Sequence, residues 1–171
     1  MSLLNEKIKG LLRWLITTDD YEIHKEAAES LGKIIDGNPE AVKALVQLLD
    51  ISQDVSIRRQ AAESLGKIAP GNSEAIKALK QLLDRTKDKT IHWEVAQSFG
   101  RIGAGNSEAI KLLVQLLGST DEDITTRCQA AESLGKITPG NSEVIKALEQ
   151  LLDISQDVSI RRQAAESLGK I

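Results

Sequence analysis

The chain has 171 residues and a formal net charge of −3, which excludes the strong positive field on which most nucleic-acid binding depends. Only 2% of the residues are aromatic, so the core must be built from Leu, Ile, Val and Ala, a composition that favours packed helices over strands. The single cysteine excludes an internal disulfide and fits a reducing compartment, and no run approaches the ~20 apolar residues of a membrane span. We therefore expect a cytoplasmic chain with neither a nucleic-acid nor a membrane partner.

One short sequence recurs along the whole chain. The octapeptide AAESLGKI has four identical copies, and VAQSFGRI at 95–102 is a looser fifth. The identical copies lie at 27–34, 61–68, 130–137 and 164–171. Gly-Asn pairs lie between successive copies, at intervals of 34, 34 and 35 residues. Such a period predicts repeated structural units within one domain, 1–171. The predicted units are approximately 1–36, 37–70, 71–104, 105–139 and 140–171.

Each unit contains two helical patterns joined by a short polar break. In the second unit, Asn38 is the expected N-cap of the first helix, Pro39 suits its first position, and Asp54 caps the second helix. The extra residue of the fourth unit falls in the loop 118–122, where an insertion costs least. The predicted helix pairs are 3–16 and 20–34, 39–49 and 54–68, 73–84 and 88–102, 107–117 and 123–137, and 142–153 and 157–171.

A single hairpin of this size cannot bury its apolar face, so neighbouring hairpins must stack. The fold we predict is all-α, a right-handed α-solenoid of five hairpins and about ten helices, with the second helices lining a concave face. Leu65 belongs to the predicted core, and Gly66 lets helix axes approach closely.

The second-helix sequence DVSIRRQAAESLGKI at 54–68 resembles HEAT-like repeats of the phycobilisome-lyase type. The Gly-Asn-Pro/Ser-Glu opening with its period near 34 is similar to arrays that lie C-terminal to NACHT domains in bacterial, especially cyanobacterial, signal-transduction proteins. The resemblance covers essentially the whole chain. It implies an armadillo-like superhelix that serves as a scaffold, and it says little about the partner because such repeats have many unrelated roles.

No catalytic, metal or cofactor site is predicted. His24 and His92 hold equivalent positions two repeats apart, about 20 Å if stacked helices lie 8–10 Å from each other, too far to ligate one metal ion. Cys128 has no acid–base partner in the repeat register, so we interpret it as a small apolar filler. The chain is therefore expected not to be an enzyme.

The third unit departs most from the others, and this divergence marks a candidate binding surface. Trp93 stands where the second unit has Arg59 and should face the concave groove, as an anchor for a partner or folded over its own repeat. The groove carries charges of both signs, which suits a protein or peptide better than a phosphate backbone. The predicted partner-binding residues are Trp93, Arg59, Lys89, Glu94, Gln97, Glu63 and Cys128.

The two ends of the repeat array differ from its middle. Lys7 replaces the Ala41 of the second unit on a face that should point outward, and Trp14, at the position of Leu48, is predicted in the core. The last unit has no such polar substitution, so its outer face should be bare. It would self-associate or continue into further repeats.

The function predicted from the sequence is a non-enzymatic protein-interaction scaffold within a larger signalling or regulatory protein. One alternative is a subunit of a bilin lyase or isomerase, which the repeat type also resembles. DNA binding, as in HEAT-like alkylpurine glycosylases, is a weaker alternative, because those proteins use a basic groove and this chain is acidic overall.

Overall fold

A computed structural model describes residues 3–17, 20–33, 37–137 and 140–171, and within these ranges every element is an α-helix. In chain order the helices are α1 (Leu3–Thr17), α2 (Tyr21–Leu31), α3 (Pro39–Ile51), α4 (Val55–Ile68), α5 (Ser73–Arg85), α6 (Lys89–Ile102), α7 (Ser107–Gly118), α8 (Ile124–Ile137), α9 (Ser142–Ile154) and α10 (Val158–Leu168). The all-α fold with about ten helices is confirmed. The predicted bounds agree to within three residues wherever the structure describes them.

Polar side chains fix the start of the helices at the predicted caps. The side-chain oxygen of Asn38 accepts hydrogen bonds of 3.1 Å from the backbone N–H groups of Glu40 and Ala41. Asp54 accepts in the same way from two N–H groups of α4. Each cap of this kind stabilises its helix by ~1 kcal/mol. The turn before α5 requires a glycine, because Gly71 has a φ of 70°, which is strained for other residues.

The five hairpins stack in sequence order, with their second helices in one continuous row. Helix α4 packs between α2 and α6, and α8 packs between α6 and α10. The first helices form a parallel row whose members touch each other far less. The second helices are therefore the more closely packed row, here named the inner row, on which we expect the concave face. The fold is an α-solenoid.

A contact between glycine and serine sets the close spacing of the second helices. A Cβ atom on Gly66 would lie 2.9 Å from Oγ and 3.0 Å from Cα of Ser98. The Ser98 hydroxyl donates a 2.9 Å hydrogen bond to the carbonyl oxygen of Ala62. The same bond recurs in the neighbouring units, from Ser64 to Ala28 and from Ser133 to Ala96. The predicted close approach at Gly66 is thus confirmed, and a buried hydrogen bond accompanies it.

One apolar core runs through the stack, and Leu65 lies fully inside it as predicted. Trp14 is the exception. It holds the position of the fully buried Leu48 and was predicted in the core, but 58% of it is exposed. Helix α3 has α1 on one side and α5 on the other, whereas α1 has a neighbour on only one side among the described residues. Lys7 is exposed on the same outward side, as predicted.

Candidate functional site

Three of the predicted site residues lie together on the inner row of helices. Arg59 of α4 and Lys89 and Trp93 of α6 line one depression of about 300 Å³. Its remaining lining residues, which had not been singled out, are Thr90, Asp123 and Thr125. Trp93 is half-buried, so the indole packs against the repeat and still offers part of its surface to the depression.

Three other predicted residues lie outside this depression. Glu63 and Gln97 are half-buried and bind basic residues one helical turn further on. The Lys67 ammonium is 2.7 Å from the Glu63 carboxylate, and the Arg101 guanidinium donates a 2.5 Å hydrogen bond to Gln97. Cys128 packs against the apolar core, and burial raises the pKa of its thiol, so the thiolate is disfavoured.

Glu94 was predicted to bind a partner on the groove, but the structure buries it. The residue is only 5% exposed, and its Oε1 atom has no hydrogen-bond partner among the described residues. Burial raises the pKa of Glu94 to about 6, and the nearby Glu63 carboxylate adds to the increase. Neighbouring residues cover its side chain, so that it is not open to the groove. Glu94 is therefore a buried acid beside the candidate site, unable to contact a partner directly.

Glu122, a residue of the loop with the insertion, joins the third and fourth units behind the depression. Its carboxylate is 2.6 Å from Nδ1 of His92 and 3.2 Å from the Lys89 ammonium, and its side chain is only 8% exposed. The other ring nitrogen of His92 is 2.8 Å from the carbonyl oxygen of Thr86. Lys89 also donates a 2.6 Å hydrogen bond to the carbonyl oxygen of Asp121. This cluster holds Lys89 at the edge of the depression.

In the second unit, the Arg58 guanidinium donates a 2.7 Å hydrogen bond to the carbonyl oxygen six residues earlier. His92 replaces this arginine and keeps the contact with the equivalent carbonyl, that of Thr86. The shorter histidine leaves its second ring nitrogen for Glu122. In the third unit, the histidine therefore adds a contact to the next unit and preserves the local one.

Arg59 and Asp123 give the depression opposite charges. Arg59 is exposed and makes no hydrogen bond or ion pair with a described residue. Burial alone would raise the pKa of Asp123, but hydrogen bonds from Thr126 and Thr125 lower it overall, so the carboxylate stays ionised. Since Lys89 is already bound to the Glu122 cluster, Arg59 is the cation best placed to meet a negative group.

The described side chains contain no group of three His, Cys, Asp or Glu residues arranged to hold a metal ion. His24 and His92 lie on α2 and α6, two repeats apart as predicted. No described helix is both long enough and apolar enough to cross a membrane.

The stacked hairpins, with their buried seam and open inner row, define the chain as an α-solenoid repeat protein. The profile of HEAT repeats matches residues 8–100 and 85–169, so the chain belongs to the HEAT-repeat family. Among solved structures, it is similar to the designed armadillo repeat protein YIII(Dq)4CqI. The TM-score is 0.58 and the identity 25%, covering 97% of this chain and 86% of that one. A comparison with curated proteins found no match. HEAT and armadillo repeats form a general protein-interaction scaffold, which is typically non-enzymatic.

Proposed function

We propose that the chain is a non-enzymatic scaffold that binds a protein or peptide segment on the inner row of helices. The observation that carries this proposal is the depression lined by Trp93, Arg59 and Lys89, at the unit that departs most from the repeat. Tryptophan and arginine are the residues most often responsible for binding energy at protein interfaces. Here they lie on adjacent, closely packed helices, so little ordering of the helices is needed on binding.

The chemistry of the depression suggests what kind of segment it accepts. The half-buried indole of Trp93 offers an apolar surface, and the Arg59 guanidinium has no partner among the described residues. A segment with an apolar side chain next to a carboxylate would satisfy both. Asp123, on the opposite side, would repel a second carboxylate and so would fix the orientation of the segment.

The wider role remains part of the same proposal. The resemblance of the repeats to arrays that follow NACHT domains supports a place as the interaction arm of a signalling protein. The lyase and DNA-binding alternatives gain no specific support from the lining of the depression, which offers both charge signs and one aromatic ring.

Selection from a random peptide-display library against the purified chain tests the proposal. We expect enriched peptides to carry an acidic residue beside an apolar one. Their affinity should fall at least ~10-fold for Trp93→Ala and for Arg59→Ala, as interface residues of this kind commonly contribute more than ~1.4 kcal/mol.

Arg162→Ala provides the matched control. Arg162 holds the position of Arg59 in the last unit, is also exposed, and does not line the depression. Its replacement should leave peptide affinity unchanged. Peptides whose affinity is insensitive to Trp93 and Arg59, or a selection that enriches no binder, would remove this surface as the site.

A further inference from the structure

The first hairpin presents an open, mostly apolar face at one end of the stack, here named the N-terminal face and defined by Gly10, Leu11, Trp14, Ile23 and Ser30. These residues line a cavity of about 420 Å³, and the charged Lys7 and Glu26 also line it. In the second unit the equivalent positions are Ala44, Leu45, Leu48, Ile57 and Ser64, all buried, and Ser64 contacts Gly32 and Ala28 of the first unit. No described residue covers them on the first unit. The N-terminal face is therefore the surface with which each later unit contacts the unit before it.

The last hairpin presents the opposite surface, here named the C-terminal face and defined by Ile145, Leu152, Ala165, Leu168 and Gly169. Their equivalents in the second unit are Val42, Leu49, Ala62, Leu65 and Gly66, all buried. In the last unit, Ala165 and Gly169 are exposed and the other three are half-buried. A Cβ atom on Gly169 would meet only carbonyl oxygens of its own helix, at 3.6 Å.

The chain itself shows what fits the C-terminal face. Residues 47–68 and 150–171 are identical, so α10 offers the same outward surface as α4. In the stack, α4 is covered by α6, whose Ser98 fits against Gly66 and binds the Ala62 carbonyl oxygen at 2.9 Å. Helix α2 carries Ser30 at the position of Ser98, within the same octapeptide sequence as α4 and α10.

We propose that the N-terminal face of one copy docks on the C-terminal face of a second copy, so that the stack continues head to tail. Ser30 would fit against Gly169 of the second copy and donate its hydroxyl hydrogen to the carbonyl oxygen of Ala165. Trp14 and Leu11 would cover Ile145 and Leu152 of the second copy. Because the two faces are different surfaces, the association is heterologous and does not close after two chains.

Sedimentation velocity with the 171-residue chain, from micromolar to millimolar concentration, tests this proposal. We expect the weight-average mass to rise past that of two chains without a plateau. Two variants block one face each. Gly10→Arg introduces a charge into the cavity at a position with no atom within 4 Å of the new Cβ. Ala165→Glu introduces a charge on the exposed side of α10. Each variant alone should stay monomeric.

Mixing the two variants gives the sharpest result. Gly10→Arg keeps an intact C-terminal face and Ala165→Glu an intact N-terminal face, so an equimolar mixture should form a dimer that cannot grow. Ser159→Glu, which adds a glutamate to another exposed part of α10, should associate like the unchanged chain. If circular dichroism shows that a blocking variant is unfolded, Trp14→Glu and Gly169→Arg take its place.

Three results would overturn the proposal. The first is an unchanged chain that remains monomeric over the whole concentration range. The second is a mixture of the two variants that forms no dimer. The third is a Gly10→Arg variant that dimerises by itself, since this would indicate pairing of two C-terminal faces instead.

Discussion

Ser98 on α6 donates a hydrogen bond of 2.9 Å from its hydroxyl to the carbonyl oxygen of Ala62 on α4. Both residues are fully buried, and the contact requires the helices to approach as closely as Gly66 permits. A buried hydroxyl without this partner would cost ~1–3 kcal/mol. The serine therefore favours one register between neighbouring hairpins, and the same bond from Ser64 and Ser133 favours that register from the first hairpin to the fourth.

Replacing Gly66 with alanine tests this spacing. The added methyl group would lie 2.9–3.0 Å from Ser98, including its backbone Cα atom, so the two helices would have to separate. We expect a loss of ~1–3 kcal/mol in the free energy of unfolding, reduced somewhat by the better helix propensity of alanine. Urea denaturation at low micromolar concentration provides the measurement.

Gly169→Ala is the matched control, because it makes the same change at the equivalent position of the last unit. The new methyl group would meet nothing closer than 3.6 Å, and Gly169 has a φ of −68°, which alanine adopts without strain. Its stability should be unchanged or slightly higher. If both variants lose the same free energy of unfolding, the contact between helices is not the cause of the loss in Gly66→Ala.

Leu65→Ala tests the continuous core. Leu65 is fully buried, so its truncation should lower the free energy of unfolding by ~2–5 kcal/mol. Leu168 holds the equivalent position in the last unit but is only half-buried, so Leu168→Ala should cost clearly less. Thermal and urea unfolding of both variants give the comparison. A cost below ~0.5 kcal/mol for Leu65→Ala would remove this residue from the core.

The fold could be predicted because the repeat period, the helix caps and the apolar pattern all indicate the same stacked hairpins. The octapeptide gives the period, Asn38 and Asp54 mark helix starts, and the identity of 47–68 and 150–171 requires the same hairpin twice. Periodic apolar positions and caps are local signals, and they determine local structure. The contact between Gly66 and Ser98 could be foreseen only in part, since the sequence does not specify which serine faces the glycine.

The site was predicted less completely, because its residues interact across units. Glu94 holds the position of Gln60, and whether so long a side chain points into the groove or the interior depends on the neighbouring helix. The contacts of Glu122 could not be predicted from the sequence, because Glu122 lies in the loop where the insertion breaks the repeat register. Trp14 was placed by analogy with Leu48, which has a covering helix that α1 lacks among the described residues.

Glu94→Gln should stabilise the protein at neutral pH. The pKa of Glu94 is raised from its ordinary 4.5 to about 6, so the folded chain binds more protons than the unfolded chain between these values. Stability from this group is therefore highest at low pH, falls as pH rises through that window, and stays low above it. We expect the free energy of unfolding of Glu94→Gln to be ~1–2 kcal/mol higher than that of the unchanged chain at pH 7. The difference should vanish near pH 4.

Gln129→Glu is the reciprocal control for this prediction. Gln129 holds the same position in the fourth unit, is 8% exposed, and donates a 3.3 Å hydrogen bond to Ser133. Placing a carboxylate there should destabilise the chain at pH 7 and have less effect at pH 4. Urea denaturation at both pH values measures the two effects. A pH-independent difference for Glu94→Gln would contradict the buried charge as its cause.

The contact between His92 and Glu122 should couple the third and fourth units more strongly than any exposed ion pair of the chain. A double-mutant cycle with His92→Ala and Glu122→Ala is expected to give a coupling energy of ~1–3 kcal/mol, because the 2.6 Å contact is almost completely buried. The pair of Glu63 and Lys67, which is far more exposed to solvent, should give less than ~0.5 kcal/mol in the same assay. Additive effects of the two substitutions would mean that the cluster fills space between the units without joining them.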